Sequence, residues 1–323
     1  MKLKNIKPEG MKSFLLTYHK LGIAVIGLSV VLSVITINKA MAQQSASYTQ
    51  YMDNLTPLNS TYSLLDSASS VNVLGRTQYV GIDGAPNTFI FNANMPIQSI
   101  NGAAGLVINN DNFAVEHQNL IYAYFAKAVQ LTTDHYLAVS LDGGFRSYQA
   151  NYAGLAPGDP AFASDITENK PSVGFGVMYY AQDYYFGVSV PQLNFRDLGV
   201  GSVLNNDYFR NHYYLSAAYL GNADQEGDIK VKTAALASVS RGVPFVADVS
   251  VTLYFRGALG LGIDYRSTGE LAGIVSYNIG AFHIGYSYQF GTTTDDLGGI
   301  SNATHEVTLG YRFGKGALTP KLL

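Results

Sequence analysis

Cysteine and tryptophan are absent from the 323 residues, and only 13% of the side chains are charged, about half the share usual in a soluble domain. Without cysteine there is no disulfide framework, no thiolate metal site, no cysteine nucleophile and no lipoprotein anchor. Beyond residue 42 no apolar run approaches the roughly 18 residues of a spanning helix, which excludes a helical membrane bundle. The scarce lysines and arginines form no stripe, so the chain has no electrostatic reason to bind nucleic acid. What it has instead is 33 glycines and 24 tyrosines.

The first 42 residues read as an address. Lys2, Lys4, Lys7, Lys12 and Lys20 precede an apolar run from Leu21 to Ile37, and Ala40-Met41-Ala42 follows in the A-x-A form of a cleavage site. Cleavage after Ala42 would leave Gln43 first, and Met11 is an alternative start that keeps the positive region. The competing reading is an uncleaved inner-membrane anchor, because the run reaches the lower limit of a spanning helix. Of the 20 basic and 23 acidic side chains the leader carries six lysines and Glu9, so the exported chain keeps 14 basic against 22 acidic groups, a net charge of −8.

The rest alternates with a period of two. Phe245, Ala247, Val249, Val251, Leu253 and Phe255 interleave with Val246, Asp248, Ser250, Thr252, Tyr254 and Arg256. The pattern recurs from Phe282 to Phe290 and from Glu306 to Phe313. With boundaries at Gly, Asn, Asp and Pro, strands are expected at 71–81, 86–96, 103–110, 116–130, 135–148, 172–181, 183–190, 211–220, 228–239, 243–255, 258–266, 270–279, 281–290 and 304–313.

Fourteen such strands predict an all-β fold, a transmembrane antiparallel up-and-down barrel over residues 71–313, apolar outside and polar within. The long connections, Gln149 to Pro171, Pro191 to Asn211 and Gly291 to Thr304, are the fifth, seventh and thirteenth, all odd and so all external; tight turns such as Arg256-Gly257 are even and periplasmic. A secreted β-sandwich also alternates, but its solvent face would carry many Lys and Glu, whereas here that face is Gly, Ser, Asn and Thr. Tyr184, Tyr185, Tyr213, Tyr214, Tyr288 and Phe290 fit either interfacial girdles or buried cross-strand pairs. Residues 43–70, with Tyr48, Tyr51 and Tyr62, read as an irregular lead that plugs the lumen, contacts a periplasmic partner or simply enters the barrel. Residues 314–323 form a short tail.

Chemistry is sparse. The five histidines after the leader lack ligand spacing, so no metal or other cofactor is expected. His283 and Ser287 share a lumen face, but four strand residues separate them by about 13 Å, too far for a nucleophile and its base. Gly260-Leu261-Gly262 lacks the third glycine and the helix of a dinucleotide loop. Asp248, Arg256, Asp264 and Arg266 alternate toward the lumen and suggest a ladder of ion pairs. The expectation is a protein that is not an enzyme.

The block Arg76-Thr77-Gln78-Tyr79-Val80-Gly81-Ile82-Asp83-Gly84-Ala85-Pro86-Asn87-Thr88 resembles the R-x-Q-[WY]-x-G-x-x-G-A-P-x-T signature of the PorP/SprF family of type IX secretion in Bacteroidota. Tyr48-Thr49-Gln50-Tyr51-Met52 resembles the family's aromatic S-Q-Y-M opening, Gly285-Tyr286-Ser287-Tyr288 its G-Y-S-Y strand and Thr304-His305-Glu306-Val307 its S-H-E-[IV] strand. Gly174-Phe175-Gly176-Val177 and Tyr184 to Pro191 are similar to its paired middle strands, so the likeness covers the mature chain. Where the family has N-P-A-Y-A-G, this chain has Asn59-Ser60-Thr61-Tyr62-Ser63-Leu64; were that stretch a docking segment, its partner would differ.

The resemblance implies a cell outer-membrane barrel, in contact with membrane lipid, that helps a type IX substrate such as a large adhesin leave the cell or stay at its surface. Some members are tied to the periplasmic ring and to gliding motility. It marks Arg76, Gln78, Gly84, Ala85, Pro86, Thr88, His305 and Glu306 as family positions that either hold the seam between the first and last strands or bind a partner. The alternative is a passive porin or small-solute channel, since fourteen strands leave a lumen unless something fills it.

Overall fold

Alternating apolar and small polar residues cannot bury both faces of a sheet in water, but a sheet that closes on itself can put the apolar face into lipid. The computed structural model describes residues 47–154, 164–193, 210–291, 303–317 and 322. The expected leader, and the central parts of the three long connections, lie outside these. Fourteen strands form one closed antiparallel barrel: β1 (Ser69–Thr77), β2 (Asn87–Ile97), β3 (Gly102–Phe113), β4 (Glu116–Gln130), β5 (Tyr136–Ala150), β6 (Ile166–Tyr180), β7 (Tyr184–Leu193), β8 (His212–Asn222), β9 (Ile229–Ser240), β10 (Val243–Phe255), β11 (Leu259–Arg266), β12 (Glu270–Ile279), β13 (Phe282–Gly291) and β14 (Thr304–Phe313).

Every strand pairs with its chain neighbours, and β1 closes on β14 over the register Ser69↔Phe313 to Thr77↔His305. Closure removes the edges, so ladder N–H and C=O groups find partners without water. No helix among the described residues is long and apolar enough to cross a membrane; the crossing elements are strands. The outer face carries Val, Leu, Ile, Phe and Tyr, as on β13, where Phe282, Ile284 and Tyr286 are exposed while Ser287 and Gln289 are buried. So much exposed apolar surface is tolerable only against lipid.

Two boundaries differ from the expected ones by more than three residues. β1 stops at Thr77 rather than at residue 81, because Tyr79 at φ 47° and Gly81 at φ 93° turn the chain out of the extended region. β6 begins at Ile166, so the fifth connection is shorter than the expected Gln149 to Pro171. Pro171 was read as a strand limit, yet it pairs with Phe145 on β5, and β7 begins pairing with β6 only at Val173. On that unpaired side the missing proline N–H costs no ladder bond. The wall is uneven: β4, β5 and β6 have 15 residues each, against eight in β11.

The aromatic residues divide by side. Tyr185 and Tyr214 are buried on the lumen side, whereas Tyr213 stands 42% exposed on the outside. Close approach inside the wall explains Gly144, where a Cβ would run into the Ile121 carbonyl and the Tyr122 Cα; Gly143 next to it faces open space. Gly144→Val should therefore destabilise the barrel by about 1–3 kcal/mol. Gly143→Ala should be near neutral, a contrast read from urea midpoints of the heat-modifiable folded band on gels.

Candidate functional site

A lumen lined by Ser, Thr, Asn, Gly and a few charges offers hydrogen bonds to any chain that enters it, and the chain that enters is the protein's own N-terminal segment. Residues 47–66 lie inside the barrel, with Thr49, Gln50, Tyr51, Met52, Leu55 and Thr61 fully buried. Two short 3-10 turns, Thr49–Met52 and Ser60–Leu65, shape it. Asn59 caps the second: its side-chain oxygen accepts from the Thr61 N–H at 3.2 Å and from the Thr61 hydroxyl at 2.6 Å.

At the end of the barrel that holds the odd connections, Glu306 receives the segment. Its carboxylate accepts from the Thr49 N–H at 2.8 Å and the Gln50 N–H at 3.1 Å, and lies 3.1 Å from the Arg76 guanidinium. Arg76 donates to the Ser47 carbonyl at 2.9 Å, and the Gln78 amide, turned, offers its oxygen to both Arg76 terminal nitrogens at 3.1 Å. Arg76 and Glu306 are register partners across the β1–β14 closure. Beside them Arg266 pairs with Asp248 at 2.5 Å and donates to the Ser47 hydroxyl at 3.0 Å.

Deeper in the lumen Lys232, 1% exposed, donates to the Met52 carbonyl, and the Tyr254 hydroxyl donates to Asp53 at 2.7 Å. The segment then turns back, with the Pro57 carbonyl accepting from Tyr122 at 3.1 Å and the Leu58 carbonyl from Ser189 at 2.6 Å. It leaves at the opposite end, that of the even connections, where Arg312 grips Asp66 at 2.5 and 2.9 Å. Within the segment the Tyr51 hydroxyl donates to the Ala234 carbonyl at 3.2 Å and the Tyr62 hydroxyl to the Met52 carbonyl at 3.4 Å. The lumen glycines make room: a Cβ at Gly285 would strike the Gln50 amide oxygen, and one at Gly187 would come within 2.8 Å of the Asn59 amide nitrogen.

Above the segment, toward the odd connections, a cavity of about 130 Å³ remains, lined among others by Ser47, Arg76, Asp111, Gln118, Arg146 and His212. Its wall mixes apolar side chains such as Leu58, Ile90 and Val107 with charges of both signs. Among the described residues no group of three or more His, Asp or Glu is placed to hold a metal.

The eight family positions do not meet in one place. Arg76, Gln78 and Glu306 converge on the N-terminal segment, and Thr88 donates to Asp111 at 2.8 Å beside the cavity. Gly84, Ala85 and Pro86 belong to the β1–β2 loop: Gln78 N–H donates to the Pro86 carbonyl at 2.9 Å, Ala85 N–H to the Ile82 carbonyl at 3.2 Å, and Gly84 sits at φ 73°, where a Cβ would come within 3.3 Å of the Ala114 Cα. His305 lies on the outer wall, bonded to the Tyr286 hydroxyl at 2.8 Å and edge-on to Tyr288.

Of the expected ion-pair ladder only Asp248 and Arg266 pair; Asp264 is buried beside them without an ion pair among the described residues. Arg256 is exposed in the β10–β11 turn, at φ 51°, and pairs with Asp228 instead, because the chain reverses there before its side chain can face the lumen. Ser287 donates to Glu306 at 3.3 Å while His283 bonds Asn278 at 2.8 Å, so the two do not form a pair. Sequence reading passed over Lys232. A lysine at a lumen-facing position of β9 was the one visible signal, since a buried lysine needs a partner.

A family model described as type IX secretion system membrane protein PorP/SprF matches residues 40–311. A comparison with curated proteins gave no match. Among solved structures the chain is similar to the outer membrane protein Omp33 of Acinetobacter baumannii, at 11% identity and a TM-score of 0.44 over 76% of this chain and 99% of that one. It is also similar to a FadL homologue of Pseudomonas aeruginosa, at 11% identity and 0.45 over 80% and 94%. The toluene transporter TodX of Pseudomonas putida gives 11% and 0.44 over 84% and 96%.

Glu306→Ala would leave the buried Arg76 without its counter-charge and free two N–H groups of the lumen segment, a loss of about 3–5 kcal/mol. The expected result is protease cleavage within residues 47–66 of an otherwise folded barrel. Glu306→Gln, which keeps one acceptor oxygen, should be cut more slowly; N-terminal sequencing of the digests checks both.

Proposed function

Because this chain belongs to the PorP/SprF family of type IX secretion system membrane proteins, we propose that it is a closed, non-enzymatic accessory barrel that receives or anchors a cognate exported protein at the cell surface. The barrel sits in the outer membrane, as its apolar exterior requires. The observation that carries the accessory reading is the filled lumen. A pore needs a continuous path, and here Tyr51, Met52, Leu55 and Tyr62 are buried across it, pinned at both ends by Glu306 and Arg312.

Such a barrel works through the surface it presents. The outward cavity, with Arg76, Arg146, Asp111 and His212 on its walls, offers both signs of charge to an incoming polypeptide. The ordered β1–β2 loop beside it carries exposed Val80 and Ile82. An adhesin held there would remain at the surface after export, and in a gliding cell it would be the element that grips the substratum. Periplasmic type IX components would meet the opposite end, where Asp66 and Arg312 close the lumen.

A deletion strain should retain at least one type IX substrate in the cell or lose it to the medium, and the tagged barrel should carry that protein through mild-detergent purification. Export and display of every type IX substrate without the gene would end this reading. In planar bilayers the intact barrel should stay closed, while removal of residues 47–66 should produce open steps. Steady conductance by the intact barrel would favour the passive channel.

A further inference from the structure

Four buried polar groups in the lumen, none with a hydrogen bond at the atom concerned, gather about one glycine. The Gln50 side-chain amide and Asp53 Oδ2 belong to the N-terminal segment; His283 Nε2 and Thr308 Oγ belong to the wall, on β13 and β14. Gln50 is fully buried, Thr308 is 1% exposed and Asp53 10%. Gly285 is the register partner of Thr308, and a Cβ on it would strike the Gln50 amide oxygen and lie 3.4 Å from His283 Nε2. Asp53, His283 and Thr308 also line a cavity of about 50 Å³ at the end of the even connections, beside Asn72, Asp66 and Arg312. One water needs roughly 10–15 Å³, so an ion with a water fits.

Two of these atoms are held ready by their neighbours. The Asn278 amide nitrogen donates to the Gly257 carbonyl at 2.9 Å, so the Asn278 oxygen is the group that faces His283 Nδ1 at 2.8 Å. Nδ1 therefore carries the proton, and Nε2 of the neutral ring turns a bare lone pair to the cavity. The Tyr254 hydroxyl donates to Asp53 Oδ1 at 2.7 Å, which leaves Oδ2 as the outward oxygen. His283 Nε2 and Asp53 Oδ2 stand 3.8 Å apart, beyond a hydrogen bond, yet one ion about 2.1 Å from each can bridge them. A ring whose far nitrogen donates to an amide oxygen, and a carboxylate whose far oxygen accepts from a hydroxyl, are what metal ligands ordinarily show. The cations nearby are directed elsewhere: Arg312 to Asp66, and Lys232, which acts electrostatically on Asp53, to the Met52 carbonyl.

We propose that His283 Nε2, Asp53 Oδ2, the Thr308 hydroxyl and the Gln50 amide oxygen form a site for a divalent first-row transition-metal ion of the Zn²⁺ class, which ties the lumen segment to β13 and β14. The imidazole selects such an ion over Mg²⁺ and Ca²⁺, which take oxygen ligands, and the lack of thiolate disfavours soft ions. One imidazole, one carboxylate and two neutral oxygens from separate parts of the chain present no ligand spacing, so the sequence does not announce the site. It would fix the segment in the lumen whatever the barrel does in secretion.

The test uses the full barrel carrying no histidine tag, dialysed to equilibrium against buffered Zn²⁺ with millimolar Mg²⁺ present, bound zinc being read by elemental analysis. One equivalent is expected. His283→Ala and Asp53→Asn should each raise the midpoint by at least roughly tenfold, and Asn278→Ala, which only releases the imidazole, by about tenfold. His117→Ala and His135→Ala should leave it unchanged. Zinc should also slow protease cleavage within residues 47–66, and should fail to do so in His283→Ala. Heat-modified gel mobility confirms folding, and Asn278→Ala keeps the test open should His283→Ala not fold. No stoichiometric zinc, zinc displaced by Mg²⁺, an equal midpoint in the folded variants or cleavage indifferent to zinc would overturn the proposal.

Discussion

The carboxylate of Glu306 faces three demands at once, and the interior of the barrel is arranged around their being met together. It balances the buried Arg76 across the β1–β14 closure, and it accepts the N–H groups of Thr49 and Gln50. A buried charge left without partners is costly, and so is a buried N–H. Each of these groups is tolerable inside the lumen because the other two are there. The N-terminal segment is thus bound to the seam that closes the barrel, and a barrel lacking that segment would leave a charged pair facing an empty lumen.

The same logic repeats at lower charge along the segment. Irregular chain inside a membrane protein is admissible only where its backbone groups are met by protein or water. Here wall side chains supply the donors: Lys232 to Met52, Tyr122 to Pro57 and Ser189 to Leu58. The small lumen residues, Gly285 and Gly187 among them, are the complement of that arrangement, because side chains in their place would occupy the space of Gln50 and Asn59. A lumen rich in glycine and serine, which by itself suggests an open pore, is here the shape of a bound chain.

Much of the barrel was legible beforehand because it follows from a local rule. Period-two alternation is a property of each strand alone, and the limits of β4, β10, β12 and β14 agree with those read from the sequence. The misjudged limits are those that depend on backbone conformation or on a neighbour: the left-handed Tyr79 ending β1, and Pro171 admitted to β6 on a side where β7 does not yet pair. Arg256 failed for a related reason, since alternation does not announce the residue at which the chain turns.

The family positions illustrate the difference between a motif and a site. His305 and Glu306 are adjacent in sequence, yet one lies among tyrosines on the lipid side and the other is sealed in the lumen. The period of two sends neighbours to opposite faces. From the sequence alone came the closed antiparallel barrel and its apolar exterior, because these rest on the order of residue types along the chain. The destination of residues 47–66 and the partners of Arg76 and Glu306 were decided only in three dimensions. Each depends on which strands stand side by side at what register, a distance that no spacing along the chain encodes.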